Sequence, residues 1–150
     1  MSTFELEAKQ MLQKVKSLTA EAMNTTLVDG MHEAIKQSVQ LKVYARYRPK
    51  IYCRRDEDGI MSEAYNELTK EATADDLSIV MTNTAPGNPD FNPYDDDGVP
   101  ADAVENDGLW HYPLDPDPGP RHFLEPAKEL YVGSGQAEQH IANTVNILLK

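Results

Sequence analysis

Eight of the chain's ten prolines fall between residues 84 and 120: Pro86, Pro89, Pro93, Pro100, Pro113, Pro116, Pro118 and Pro120. Proline has no N–H to give a helix or a central strand, and it drives the preceding residue out of helical conformation. A segment interrupted this often forms neither a long helix nor an interior strand. Regular structure must therefore come from the chain on either side. The division predicts a helical region over residues 1–47, antiparallel strands over 50–83, an acidic proline-rich loop over 84–120 and C-terminal helices over 121–150. At 150 residues this suits a single domain, long enough to bury a core without disulfide or metal staples.

The flanking regions carry helical and strand signals. Ser2 and Glu5 have the spacing of a capping box. Leu6, Met11, Leu12, Val15, Leu18, Ala22 and Met23 then recur at helical spacing, predicting one buried face. A second series, Leu27, Met31, Ile35, Val39 and Val43, continues it. Helix is expected over 3–23 and 27–46, as one kinked rod or as two segments, because Asn24-Thr25-Thr26 and Asp29-Gly30 weaken the pattern without forbidding it. Pro49 ends it. Ile51–Arg55 reads as a strand closed by the acidic turn Asp56-Glu57-Asp58-Gly59. Glu67–Ala72 and Leu77–Asn83 read as a hairpin around Thr73–Asp76. After the loop, Phe123, Leu124, Ala127, Leu130 and Tyr131 resume helical spacing, Gly133-Ser134-Gly135 breaks it, and Ala137, Ile141, Val145, Leu148 and Leu149 mark a last amphipathic helix. The fold class expected is α+β, a small antiparallel sheet packed by a long N-terminal and a C-terminal helix.

Charge is unevenly placed. The net charge is −11, and all of it sits in residues 75–118, which hold 11 acids and no lysine or arginine. Lys42, Arg46, Arg48, Lys50, Arg54 and Arg55 form a basic cluster interleaved with Tyr44, Tyr47 and Tyr52. Two oppositely charged zones on one small chain suit contact between identical copies, with Arg46, Arg48, Arg54 and Arg55 on one side of it. A solvated surface that keeps the chain soluble is the plain alternative. The basic, tyrosine-rich cluster also has the makings of a nucleic-acid surface, but the acidity of the rest of the chain counts against that. A polar loop cannot order itself alone, so its aromatics Phe91, Tyr94, Trp110 and Tyr112 are read as anchors that dock on a neighbour, Trp110 and Tyr112 foremost.

Residue patterns that carry chemistry are few. Asp95-Asp96-Asp97-Gly98 suggests calcium, yet the EF-hand loop needs a ligand five residues before its glycine and a glutamate six after; Pro93 and Val104 stand there. His32, His111, His122 and His140 fall in no metal-binding spacing. His32 and His140 are expected on helix surfaces. The single cysteine, Cys53, forms no intrachain disulfide. No nucleophile elbow, phosphate-cradling loop or dinucleotide fingerprint occurs. No enzyme activity, cofactor or metal is expected, nor a membrane span or a signal peptide.

Several segments together resemble a known family. Val43–Arg55 is similar to a tyrosine–proline–tyrosine–arginine–arginine segment that follows the long helix in tail-completion or head–tail joining proteins of long-tailed bacteriophages. Asp58-Gly59-Ile60-Met61 resembles the glycine–hydrophobic turn of these proteins, Leu77–Ala85 the strand ending in asparagine–x–alanine, and Gly119–Ala127 the glycine–proline–arginine–x–phenylalanine start of their C-terminal helix. The resemblance covers about the last two-thirds of the chain in order and spacing. It implies a non-catalytic structural virion protein, assembled in the host cytoplasm and located in the neck. It further implies a homo-oligomeric ring, a hexamer, between the head connector and neighbouring tail-tube or terminator proteins, with genomic DNA passing through unbound.

In such a channel an acidic lining repels the duplex over a Debye length, about 8 Å at physiological salt. Asp95, Asp96 and Asp97 are the expected channel-facing residues; packing of these acids against a neighbour's arginines is the competing arrangement. A tail terminator or a head-completion stopper is the alternative within the same class. From outside it, the alternative is a soluble acidic protein that mimics nucleic acid.

Overall fold

The computed structural model describes residues 3–46, 59–85 and 122–150. Helix α1 (Thr3–Ala22) passes through a π-helical turn (Met23–Leu27) into α2 (Val28–Lys42). Ala22 and Val28, on either side of that turn, both hold right-handed helical backbone. Of the two expected arrangements the chain takes the single rod, about 60 Å long at 1.5 Å per residue. The wide turn absorbs Asn24-Thr25-Thr26: the Thr25 hydroxyl donates back to the Glu21 carbonyl at 2.8 Å, while Asn24 and Thr26 find partners off the rod. Asn24 donates to the Ala72 carbonyl (2.9 Å) and accepts from the Ala72 N–H (2.7 Å), and the Thr26 and Thr144 hydroxyls lie 3.0 Å apart. Regular α-helix ends at Lys42, four residues short of the expected boundary, and Tyr44–Arg46 tightens into a 3₁₀ turn.

The hairpin forms with shorter strands than expected. Strand β1 (Asn66–Lys70) pairs antiparallel with β2 (Val80–Asn83), Asn66 facing Asn83 and Leu68 facing Met81, with an irregularity between Leu68 and Lys70. Residues 71–79 leave the ladder because the expected turn closes on itself: the Thr73 and Asp76 backbones exchange hydrogen bonds of 2.9 and 3.2 Å, and Lys70 pairs with Asp76 at 2.7 Å. That lysine, with the Ser78 hydroxyl, holds the Asp76 carboxyl below the usual carboxylate range. Leu77, expected on the inward face of a strand, is exposed as a result. The expected strand at Ile51–Arg55 and the loop at 84–120, apart from Thr84 and Ala85, lie outside the described residues.

The C-terminal region follows its sequence pattern closely. Helix α3 (Leu124–Lys128) takes Pro126 in its first turn, where the missing N–H has no helical partner to lose. A second π-helical turn (Glu129–Gly133) leads to Gly135, whose φ of 78° favours glycine. Helix α4 (Gln136–Leu148) follows.

One core joins these parts. Leu27, Ala34, Ile35, Val39 and Val43 of the rod meet Ile60, Ala85, Phe123, Ala127, Tyr131 and Ala137, with Ile79 and Met81 of the hairpin packed on the edge. Phe123 is fully buried. Beneath it the buried Ser38 hydroxyl donates to the Phe123 carbonyl at 2.7 Å.

The first three turns of α1 depart from the expected buried face. Every residue from Thr3 to Lys14 is exposed, including Leu6, Met11 (61%) and Leu12 (57%). The rod outruns the body: among the described residues, burial begins at Val15 and becomes complete at Ala20 and Ala22.

Candidate functional site

Most residues that sequence reasoning placed in an interface or channel lie beyond the described part. Arg48, Arg54, Arg55, Trp110, Tyr112, Asp95, Asp96 and Asp97 fall outside the described residues. Arg46 is described only as the last residue of its 3₁₀ turn. Three described features have the geometry of joints or contact surfaces.

The first is the clamp at the end of β2. The Asn83 amide donates to the Ile60 carbonyl (2.8 Å) and to Asn66 Oδ1 (2.7 Å), while its oxygen accepts from the Ala85 N–H (3.1 Å). The Thr84 N–H donates to the Tyr65 carbonyl at 2.8 Å. One asparagine thus ties the glycine–hydrophobic turn at Gly59–Met61, the first strand and the exit of the second. Gly59–Met61 and Asn83–Ala85, which belong to two of the segments that carry the phage resemblance, meet here. Alongside, Lys36 on α2 reaches Glu63 at 2.6 Å and Glu33 at 3.2 Å. These two bonds raise the Lys36 pKa, and the lysine lowers that of Glu63. His32, expected on a helix surface, is half buried. Its Nδ1 lies 4.0 Å from Glu63, and its Nε2 is buried with no hydrogen-bond partner among the described residues.

The second is the joint between the two π-turns. Tyr131 projects from the second turn onto the rod, where its hydroxyl lies 2.9 Å from His140 Nδ1 and donates to the Thr26 carbonyl of the first turn at 3.5 Å. The rings of Tyr131 and His140 are tilted at 56° with centroids 5.5 Å apart. His140 does lie exposed on α4, as expected, but serves as this partner. Burial, and more weakly Asp29, push the Tyr131 hydroxyl above its ordinary pKa. The ring lies against the rod at Gly30, where a side chain would collide with it. This explains a glycine inside a helix, which local spacing alone reads as a weakness. π-turns occur often at functional positions; here the polar atoms of Tyr131, His140 and Thr26 bond one another. No group of three or more potential metal ligands occurs among the described residues, and no described helix is long and apolar enough to cross a membrane.

The third is the exposed apolar surface. Phe4 (78% exposed), Met11 and Leu12 stand on the projecting arm of α1, and Ile147, Leu148 and Leu149 are exposed at the end of α4. Between α1 and α4 runs a shallow groove of about 410 Å³ lined by Thr19, Glu138, Ile141, Ala142, Val145 and Asn146. Monomers rarely leave large apolar side chains clustered in water, and such surfaces mark contact sites. Sequence reasoning missed the arm because apolar spacing reports which face is apolar, not whether the chain's own body covers it.

The model of the YomN family aligns with residues 7–146. No curated protein and no solved structure matches the chain.

Proposed function

The chain belongs to the YomN family, whose namesake is a Bacillus phage-derived protein, and from that premise we propose that this phage-associated protein is a structural part of the particle. In this reading it is a ring-forming subunit of the neck or tail-completion region, joining the head connector to the tail around the DNA channel. The family match over residues 7–146 carries the phage part of the reading. The neck position is supported by the ordered resemblance of Val43–Arg55, Asp58–Met61, Leu77–Ala85 and Gly119–Ala127 to tail-completion proteins. Two of these segments hold structural anchors, Asn83 in the clamp and Phe123 at the centre of the core. The exposed apolar arm suits a protein that works in an assembly rather than alone.

The roles of the oppositely charged zones follow from this reading. Arg46, Arg48, Arg54 and Arg55 contact the neighbouring subunit, with Trp110 and Tyr112 as apolar anchors. Asp95, Asp96 and Asp97 face the DNA path and keep the duplex from sticking. A tail terminator or a head-completion stopper differs from this only in its level along the neck. Disruption of the gene in the phage tests the reading. The expected result is filled heads and separate tails that fail to join, with the protein found in purified wild-type particles by mass spectrometry. Normal particles from the disrupted phage, or wild-type particles free of the protein, would overturn it.

A further inference from the structure

We propose that the projecting arm of α1 pairs with the same arm of a second copy, antiparallel, across a twofold axis. Apolar residues at Phe4, Ala8, Met11, Val15, Leu18 and Ala22 are separated by four, three, four, three and four residues. That is a strict seven-residue repeat, a period of 3.5, and it differs from the 3.6 of a straight helix in the direction that two helices need to stay in contact as they wind. The repeat runs through α1 and stops at the π-turn Met23–Leu27. The body of the protein uses its last two members: Leu18 is half buried and Ala22 wholly buried. Phe4, Ala8 and Met11 stay exposed, and Val15 is half buried.

The four remaining positions are self-complementary in one antiparallel register. Phe4 of one copy lies over Val15 of the other and Ala8 over Met11, so each layer sets a large side chain against a smaller one. The same register brings Glu7 beside Lys14 of the second copy, and Lys14 beside its Glu7, giving two opposite-charge pairs that flank the seam. A parallel pair would stack Ala8 on Ala8 and leave a void. It would also place Glu7 beside Leu12 and Lys14 beside Thr19, with no charge pair. Leu12 borders the seam and widens the apolar contact. The exposed arm of residues 3–14 is about 18 Å long. In this register the partner's Phe4 reaches Val15, so the contact spans the exposed length of both arms and ends where burial begins. A twofold contact of this kind is isologous and distinct from the head-to-tail contact that closes a ring; it does not depend on the neck reading.

Sedimentation velocity on the full chain over a range of concentrations and salt tests the pairing. The wild-type protein should associate reversibly. Glu7→Lys alone and Lys14→Glu alone should each weaken association on the order of tenfold at low salt, since each replaces two exposed attractions by repulsions. The double variant Glu7→Lys/Lys14→Glu restores both pairs with signs exchanged and should recover wild-type association. Met11→Asp should abolish association with an unchanged circular-dichroism spectrum, because Met11 makes no part of the folded core. A wild-type chain that stays monomeric, association indifferent to Met11→Asp, or a double variant no better than the single ones would overturn the pairing. The first would leave the arm to another phage protein or to the chain's own 86–121 segment. The second would assign assembly to other surfaces and leave the ring reading standing. Paired arms in a protein found outside particles would sink the neck reading alone.

Discussion

Gly30→Ala sets two physical effects against each other, and their balance decides the sign of the outcome. In a helix, alanine is favoured over glycine by about 1 kcal/mol, because glycine gives up more backbone freedom on folding. On propensity alone the substitution should stabilise. At Gly30, however, an added Cβ would fall 2.7 Å from Tyr131 Cε2 and closer still to the end of the ring. Tyr131 is only 3% exposed, and its hydroxyl is held by His140 and the Thr26 carbonyl, so the ring cannot swing into solvent without losing its packing. Forcing extra volume into such a contact costs about 1–3 kcal/mol, and loss of the hydroxyl's bonds adds about 1 kcal/mol. The net expectation is a loss of about 1–3 kcal/mol, with about 2–4 °C in Tm for each kcal/mol in a chain of this size. Thermal and urea unfolding followed by circular dichroism measure it. In a Tyr131→Leu background the same substitution should be neutral or stabilising, since the obstructing ring is gone. A rise in stability on Gly30→Ala in the wild-type chain, or an equal loss in both backgrounds, would refute the steric account.

Four other outcomes are expected. Asn83→Ala should cost about 1–3 kcal/mol in urea unfolding, because the Ile60 carbonyl and the Ala85 N–H lose their partner in a half-buried site. Burial raises the Tyr131 pKa above its unfolded value of about 10, so its contribution to stability is full below pH about 10 and is lost as pH rises through the folded value. Alkaline unfolding of Tyr131→Phe should lack that share of the loss. Charge reversal at Arg54 and Arg55 should leave the monomer folded but cut incorporation into particles, read by quantitative mass spectrometry of virions. Replacement of Asp95, Asp96 and Asp97 by asparagine should leave assembly normal and slow or derange DNA ejection; failed assembly would instead place these acids against a neighbouring subunit.

The parts of the fold that sequence revealed are those fixed by local chemistry. Pro126 tolerated in a first helical turn, the helix break at Gly133-Ser134-Gly135, the Thr73–Asp76 turn and the helical spacing of Ile35 and Val39 need no knowledge of distant residues. The departures come from tertiary contacts. Asn24-Thr25-Thr26 weakens a helix locally, yet the rod continues as a π-turn because Ala72 and Thr144 supply partners for Asn24 and Thr26. Gly30 looks like a breaker until Tyr131, about a hundred residues later in the chain, lies across it. Leu77 alternates as a strand residue, but the turn before it holds residues 71–79 off the ladder. The clamp at Asn83 was visible only as part of a resemblance; the spacing gave no reason for it. The candidate interface residues cluster where proline and charge remove periodicity, so composition could identify them but not position them. The apolar stripe of α1 was legible as a stripe, while its exposure was not, since that depends on where the body ends.

Cryo-electron microscopy of the intact phage particle at the head–tail junction tests the central claim most directly. The account predicts a closed ring of identical subunits between connector and tail, each with the continuous helix of residues 3–42 and its π-turn at Met23–Leu27, and with acidic density from residues 95–97 facing the channel. A junction built entirely from other chains, with no copy of this one in the particle, would contradict it.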